Sequence, residues 1–178
     1  FKQEIIQWRY HINAVELKHA ANAFGYLMLS FIAISITYIF GTLLTAKGAL
    51  KQLNIMALFG VGINIGLNYL IIPLSGSEGA ALASLITQII TAATQVFIAV
   101  KIFNLKTNKK TLLSIGLFIS LSILCIYLNQ LIKLDWIFKM LITLSTLIII
   151  AFCTGLFSVN SLIEIINEKN KSEKPNNT

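Results

Sequence analysis

The sequence predicts an all-α integral membrane protein with five transmembrane helices. Composition is the first reason. Apolar residues make up 56% of the chain and charged residues only 12%, against roughly 25% charged in a soluble domain. Length is the second. Five apolar runs approach the ~20 residues that a helix needs to cross a hydrocarbon core of ~30 Å. Charge placement is the third. The formal net charge is +7, but the basic residues gather between the apolar runs, which is a topology signal rather than a nucleic-acid footprint. A soluble helical domain rarely holds five such runs.

Residues 1–21 mix charges with aromatics and are expected on the outer side, with Trp8 and Tyr10 at an interface. Phe1 is not an initiator Met and does not open a charged-then-apolar leader, so the chain is expected to begin within a longer protein. The membrane domain covers residues 22–157. Its spans are placed at about 22–46, 55–73, 79–100, 112–132 and 137–157. Lys47, Gly48 and Lys51 lie in the first loop. Pro73 ends the second run, and Ser75, Gly76 and Ser77 suit a tight turn into the third. Lys106, Lys109 and Lys110 mark the next loop, and Asp135 the last turn. Residues 158–178 form a tail. Leu162, Ile163, Ile165 and Ile166 fit a short amphipathic helix, and the polar end from Asn170 is expected to be disordered.

Alternate crossings put Lys47, Lys51, Lys101, Lys106, Lys109, Lys110, Lys169, Lys171 and Lys174 on one side. Lys2, Arg9, Lys18, Lys133 and Lys139 fall on the other. The richer side is assigned to the cytoplasm, which places the C-terminus inside.

Helical spacing of 100° per residue separates polar from aliphatic arcs. In the third span Ala80, Ser84, Thr87, Gln88, Thr91, Thr94 and Gln95 share one arc, with Leu82, Leu85, Ile86, Ile89 and Val96 on the other. In the first, Ser30, Ser35, Thr37, Gly41, Thr42 and Thr45 oppose Ile32, Ile36, Ile39 and Leu44. Gly60, Asn64 and Asn68 lie on one line of the second span, and Gly62 and Gly66 almost opposite. Small residues let membrane helices approach, so Gly62, Gly66, Gly79 and Ala83 are candidates for helix packing. Asn64, Asn68, Gln88 and Gln95, with Ser30 and Thr37, are candidates to line a polar cavity. Amides in hydrocarbon need partners or a wet cavity, and packing across helices is the competing account for them. The fourth and fifth spans show no clear polar arc and are expected at the periphery.

Charged side chains are missing from the middle of every run, so no intramembrane proton relay is expected. His11 and His19 lie in or beside the outer segment. Cys125 and Cys153 sit in apolar runs and are expected to be buried small hydrophobes. The spacing of His, Cys, Asp and Glu offers no metal site, cofactor motif or catalytic constellation, so an enzyme is not expected.

The segment Asn64-Ile65-Gly66-Leu67-Asn68-Tyr69-Leu70-Ile71-Ile72-Pro73, followed by Gly79-Ala80-Ala81-Leu82-Ala83-Ser84, resembles the C-terminal part of bacterial polysaccharide flippases. These belong to the multidrug/oligosaccharidyl-lipid/polysaccharide exporter superfamily. Tyr38 to Gly48 resembles the preceding span and its Ala-x-Gly turn. The resemblance covers about residues 15–105. It implies that the five helices form most of the C-terminal lobe of a two-lobed, MATE-like transporter, with the N-terminal lobe missing from this chain. It implies a lipid-linked oligosaccharide as cargo, membrane lipid as surroundings and the bacterial inner membrane as location. No nucleic-acid partner is implied. The family's cavity commonly holds basic residues that meet the lipid pyrophosphate; the first three spans here lack them, leaving Arg9 and Lys18 at the outer mouth or the missing lobe. A drug or lipid-precursor exporter of the same superfamily is the nearest alternative. A membrane polysaccharide polymerase or ligase is an alternative of another class, as is a scaffold subunit.

Overall fold

A computed structural model describes residues 1–10, 13–105 and 108–155. The described residues form five helices and no strand: α1 (Lys2–Arg9), α2 (Ala14–Ala46), α3 (Leu50–Phe103), α4 (Lys109–Leu131) and α5 (Trp136–Cys153). Four of them, α2 to α5, are long and apolar enough to cross a membrane. The chain is thus an all-α protein with the pattern of a multi-pass membrane protein. The tail from residue 156, with its expected amphipathic helix and disordered end, lies outside the described residues.

The chain divides into two compact units, Phe1–Lys106 and Thr107–Thr178. In the first, α2 begins eight residues before the apolar run that predicts it. Asn13 caps it, its Oδ1 accepting from the Glu16 N–H at 2.9 Å, and Glu16 in the first turn complements the helix dipole. At 33 residues α2 rises ~50 Å, so its charged first turns extend beyond a ~30 Å apolar span.

α3 is two helices joined at a kink. Pro73 does not end the first arm; the helical path continues to Gly76, whose φ of 55° and ψ of −130° lie outside the helical region. Only glycine adopts such a conformation without strain, so the break falls there. The arms then fold against each other. Gly79 sits so near Ile71 that a Cβ on it would lie 2.7 Å from the Ile71 carbonyl oxygen. Further along, Asn64 meets Thr87 and Gly60 meets Thr91. The contacts move away from the kink along both arms together, so the arms are antiparallel.

α2 runs parallel to the second arm. His19 lies by Glu78, Gly41 by Gln95 and Leu44 by Ala99. Leu44, Ala49 and Ala99 form the buried apolar core at one end of this unit, with Lys47, Lys51 and Lys101 nearby in the chain. The end carrying Lys2, Lys18 and Glu78 is opposite. The short α1 packs on α2 there, its Lys2 stem lying over Gly25.

In the second unit, Asn108 caps α4 through its Oδ1 and the Lys110 N–H, and α4 pairs with α5. Cys125 is half-buried and its Sγ lies 3.0 Å from Thr146 Oγ1. Cys153, expected to be buried, is exposed, lying at the last residue of α5.

Candidate functional site

The polar residues of the first unit gather in its helix seams. Asn64 and Asn68 project from the first arm of α3 one turn apart. Asn68 Nδ2 donates to Asn64 Oδ1 at 2.9 Å, and Asn64 Nδ2 donates across the seam to Thr87 Oγ1 at 3.3 Å. Thr87 is buried and donates in turn to the Ala83 carbonyl at 2.8 Å. The line Gly60, Asn64, Asn68 therefore faces the second arm. Gly60 supplies the room, since a Cβ there would come 3.2 Å from Thr91 Oγ1.

A second polar group lies where α2 meets the second arm. Gln95 is 93% buried, Gly41 faces its amide, and Gln95 Oε1 has no hydrogen-bond partner among the described residues. The same holds for Thr37 Oγ1 on α2 and for Asn68 Oδ1. Ser30 is buried, and its hydroxyl donates to the Leu27 carbonyl at 2.6 Å. Gln88 is half-buried. The structure thus joins Asn64 and Asn68 directly, sets Gln95 in a different seam and adds Thr87 as the cross-link.

The packing candidates divide as well. Gly79 and Ala83 are buried in the unit, and Ala83 is wholly so. Gly62 and Gly66 are exposed, and no described atom lies within 4 Å of a Cβ built on either. The polar arc of α2 is only partly inward. Ser35, Thr42 and Thr45 are exposed and donate to carbonyls of their own helix, at 2.8 Å, 3.0 Å and 2.8 Å. A hydroxyl satisfied in this way needs no partner from another helix. Thr94 does the same. Leu85, placed on the aliphatic arc of the second arm, is buried and Leu44 of α2 fully so, because the arms meet α2 there.

Two polar clusters lie beyond the residues that helical spacing singles out. At the kink end, Glu78 accepts from Asn22 Nδ2 at 3.0 Å and lies 2.8 Å from His19 Nδ1; Lys2 Nζ donates to Asn22 Oδ1 at 2.6 Å. The His19 hydrogen bond, opposed by desolvation and aided by Asn22, holds the Glu78 carboxyl below its ordinary value. Glu78 and His19 are 59 residues apart, and no local pattern links them. In the second unit, Asn129 is buried and donates to Thr143 Oγ1 and to the Lys139 carbonyl. An amide inside an apolar run was the available signal for Asn129.

Among the described residues no group of three or more His, Cys, Asp or Glu could hold a metal ion. In the helix seams of the first unit the chemistry on offer is that of neutral donors and acceptors, suited to contacts with hydroxyls and amides. No family model, characterised protein or solved structure matches the chain.

Proposed function

We propose that the chain is the greater part of the C-terminal lobe of a MATE-like flippase of the bacterial inner membrane. On this reading it crosses the membrane five times, the two arms of α3 counting separately, with the C-terminus in the cytoplasm. The cargo is a polyprenyl-diphosphate-linked oligosaccharide bound for surface polysaccharide or lipopolysaccharide, moved by alternating access between two lobes. The chain carries no catalytic role in this reading, and its partners are the cargo, membrane lipid and the N-terminal lobe.

The observation that supports the reading most is that three of the four unpaired buried acceptors among the described residues, Asn68 Oδ1, Gln95 Oε1 and Thr37 Oγ1, belong to the first unit, the fourth being Asn129 Oδ1 in the second. A polar atom left unpaired in hydrocarbon costs several kcal/mol. A transported headgroup rich in hydroxyls supplies donors for such atoms without requiring a buried charge.

The test is a double variant, Asn68→Ala with Gln95→Ala, in the full-length protein at normal membrane abundance. Surface glycan should fall, and lipid-linked oligosaccharide should accumulate on the cytoplasmic leaflet. Each lost hydrogen bond is worth about 0.5–1.5 kcal/mol, so the pair should slow export by about one order of magnitude. Undiminished export would assign both amides to helix packing.

A further inference from the structure

We propose that the end of the first unit opposite the kink is a docking surface for the headgroup of an acidic phospholipid. Three lysines gather there, one from each apolar helix end. Lys47 follows the last turn of α2, Lys51 is the second residue of α3, and Lys101 lies in the last turn of the second arm. All three are exposed. The buried cluster of Leu44, Ala49 and Ala99 brings them to one place, since each lysine is two or three residues from a member of it. The connection between α2 and α3 is tied by backbone hydrogen bonds. Gly48 N–H donates to the Thr45 carbonyl at 2.9 Å, and Ala49 N–H to the Leu44 carbonyl at 3.0 Å. Lys47 and Lys51 therefore stand on a fixed corner.

Charge selects the occupant. The acids of the first unit, Glu4, Glu16 and Glu78, all lie toward the kink end. There they offset Lys2, Arg9 and Lys18 one for one. No acid occurs between Glu16 and Glu78, or between Glu78 and Asp135. The lysine end thus keeps its positive charges with no negative one from its own unit. Helices this long and apolar put that end in the headgroup layer of a bilayer. Low-dielectric material then lies on one side of the charges, which strengthens their attraction for an anion. A zwitterionic headgroup brings its own cation and gains little, whereas an acidic one brings a net negative charge. Leu50 and Val100, next to Lys51 and Lys101, are exposed. The tails of a phospholipid cover such residues, which a free inorganic anion cannot do. The inference needs only a chain that crosses a membrane and holds whatever the cargo.

The test uses the full-length protein in phosphatidylethanolamine vesicles, with two photoreactive probes compared at equal mole fraction. One is a phosphatidylglycerol and the other a phosphatidylcholine, each with a diazirine at the same position near the top of an acyl chain. At low salt the phosphatidylglycerol probe should mark the segment from Leu44 to Leu53 at least about fivefold more strongly. That factor is near 1 kcal/mol, which one lysine at a membrane surface supplies. Lys47→Gln, Lys51→Gln and Lys101→Gln together should abolish the preference, and the same three changed to Arg should keep it. Lys18→Gln, at the kink end, should leave it unchanged. Raising salt from ~0.01 M to ~1 M shortens the Debye length from ~30 Å to ~3 Å and should reduce the preference of the unaltered protein, with no variant required to fold. Equal marking by both probes at low salt, a preference that survives the triple Gln change, one that Lys18→Gln weakens as much, or one indifferent to salt would each overturn the proposal.

Discussion

Glu78 stands at the head of an apolar helix, where a carboxylate is tolerated because three side chains hold it. His19 and Asn22 contact its oxygens directly, and Lys2 secures Asn22. Because its folded pKa is lowered, the carboxylate contributes stability that is present above the unfolded value of ~4.3. That contribution is lost as pH falls through the lowered folded value. His19→Ala removes the largest cause of the shift and should move the Glu78 titration upward, toward the ordinary carboxylate range. Carbon-13 NMR of labelled glutamate in detergent micelles reads this directly, and an unmoved titration would exclude the pairing. Residue-scale legibility was uneven for a physical reason. Asn64 and Asn68 were placed on one line because helical spacing is local. Glu78 and His19 meet only when α2 packs on α3, which no spacing rule encodes. Ser35, Thr42 and Thr45 looked like part of a polar face because a sequence does not reveal that each hydroxyl is satisfied one turn back.

At the scale of the element, the α3 hairpin depends on two glycines with different duties. Gly76 takes the bend, and Gly79 lets the arms touch. Gly79→Ala would drive a methyl into the Ile71 carbonyl, which is backbone and gives little. Overpacking of this kind costs about 1–3 kcal/mol. Gly62→Ala meets no described atom and gains up to ~1 kcal/mol of helix propensity. Unfolding of the two purified variants by dodecyl sulfate should therefore shift in opposite directions from the parent. Equal resistance of Gly79→Ala and the parent would rule out the close approach. The hairpin was legible from Pro73, Gly76 and the charge-free arms. Its point of bending was not, because Pro73 fits inside a helix whose preceding turn forgoes one hydrogen bond, whereas the positive φ at Gly76 forces the turn.

For the whole molecule, the first unit sets Ser77 at one end and Lys51 at the other, as the distribution of lysines requires. On the proposed topology, Ser77→Cys should react with a membrane-impermeant thiol reagent on intact cells. Lys51→Cys should react only after the cells are opened. Both belong in a background with Cys125→Ser and Cys153→Ser, since neither thiol is in a disulfide. Equal labelling of the two sites in intact cells would refute the orientation. The all-α class and its long apolar helices were readable because composition and run length depend on the solvent a chain must meet. The pairing of α4 with α5 through Asn129 and Thr143 was not, because a single amide in an apolar run carries no direction until its neighbour is known.

The arms of α3 also bear on how the protein is made. Asn68 donates to Asn64 within one arm, and the Asn64 amide finds its acceptor, Thr87 Oγ1, only 23 residues later on the other arm. An arm entering lipid alone would bring polar groups still wanting a partner, whereas the two entering together carry their partner with them. The kink at Gly76 makes that joint entry possible, because it closes the pair with almost no intervening chain. On the proposed topology, the tight bend lets the two arms enter lipid as a pair, with the Asn64 amide already facing its acceptor.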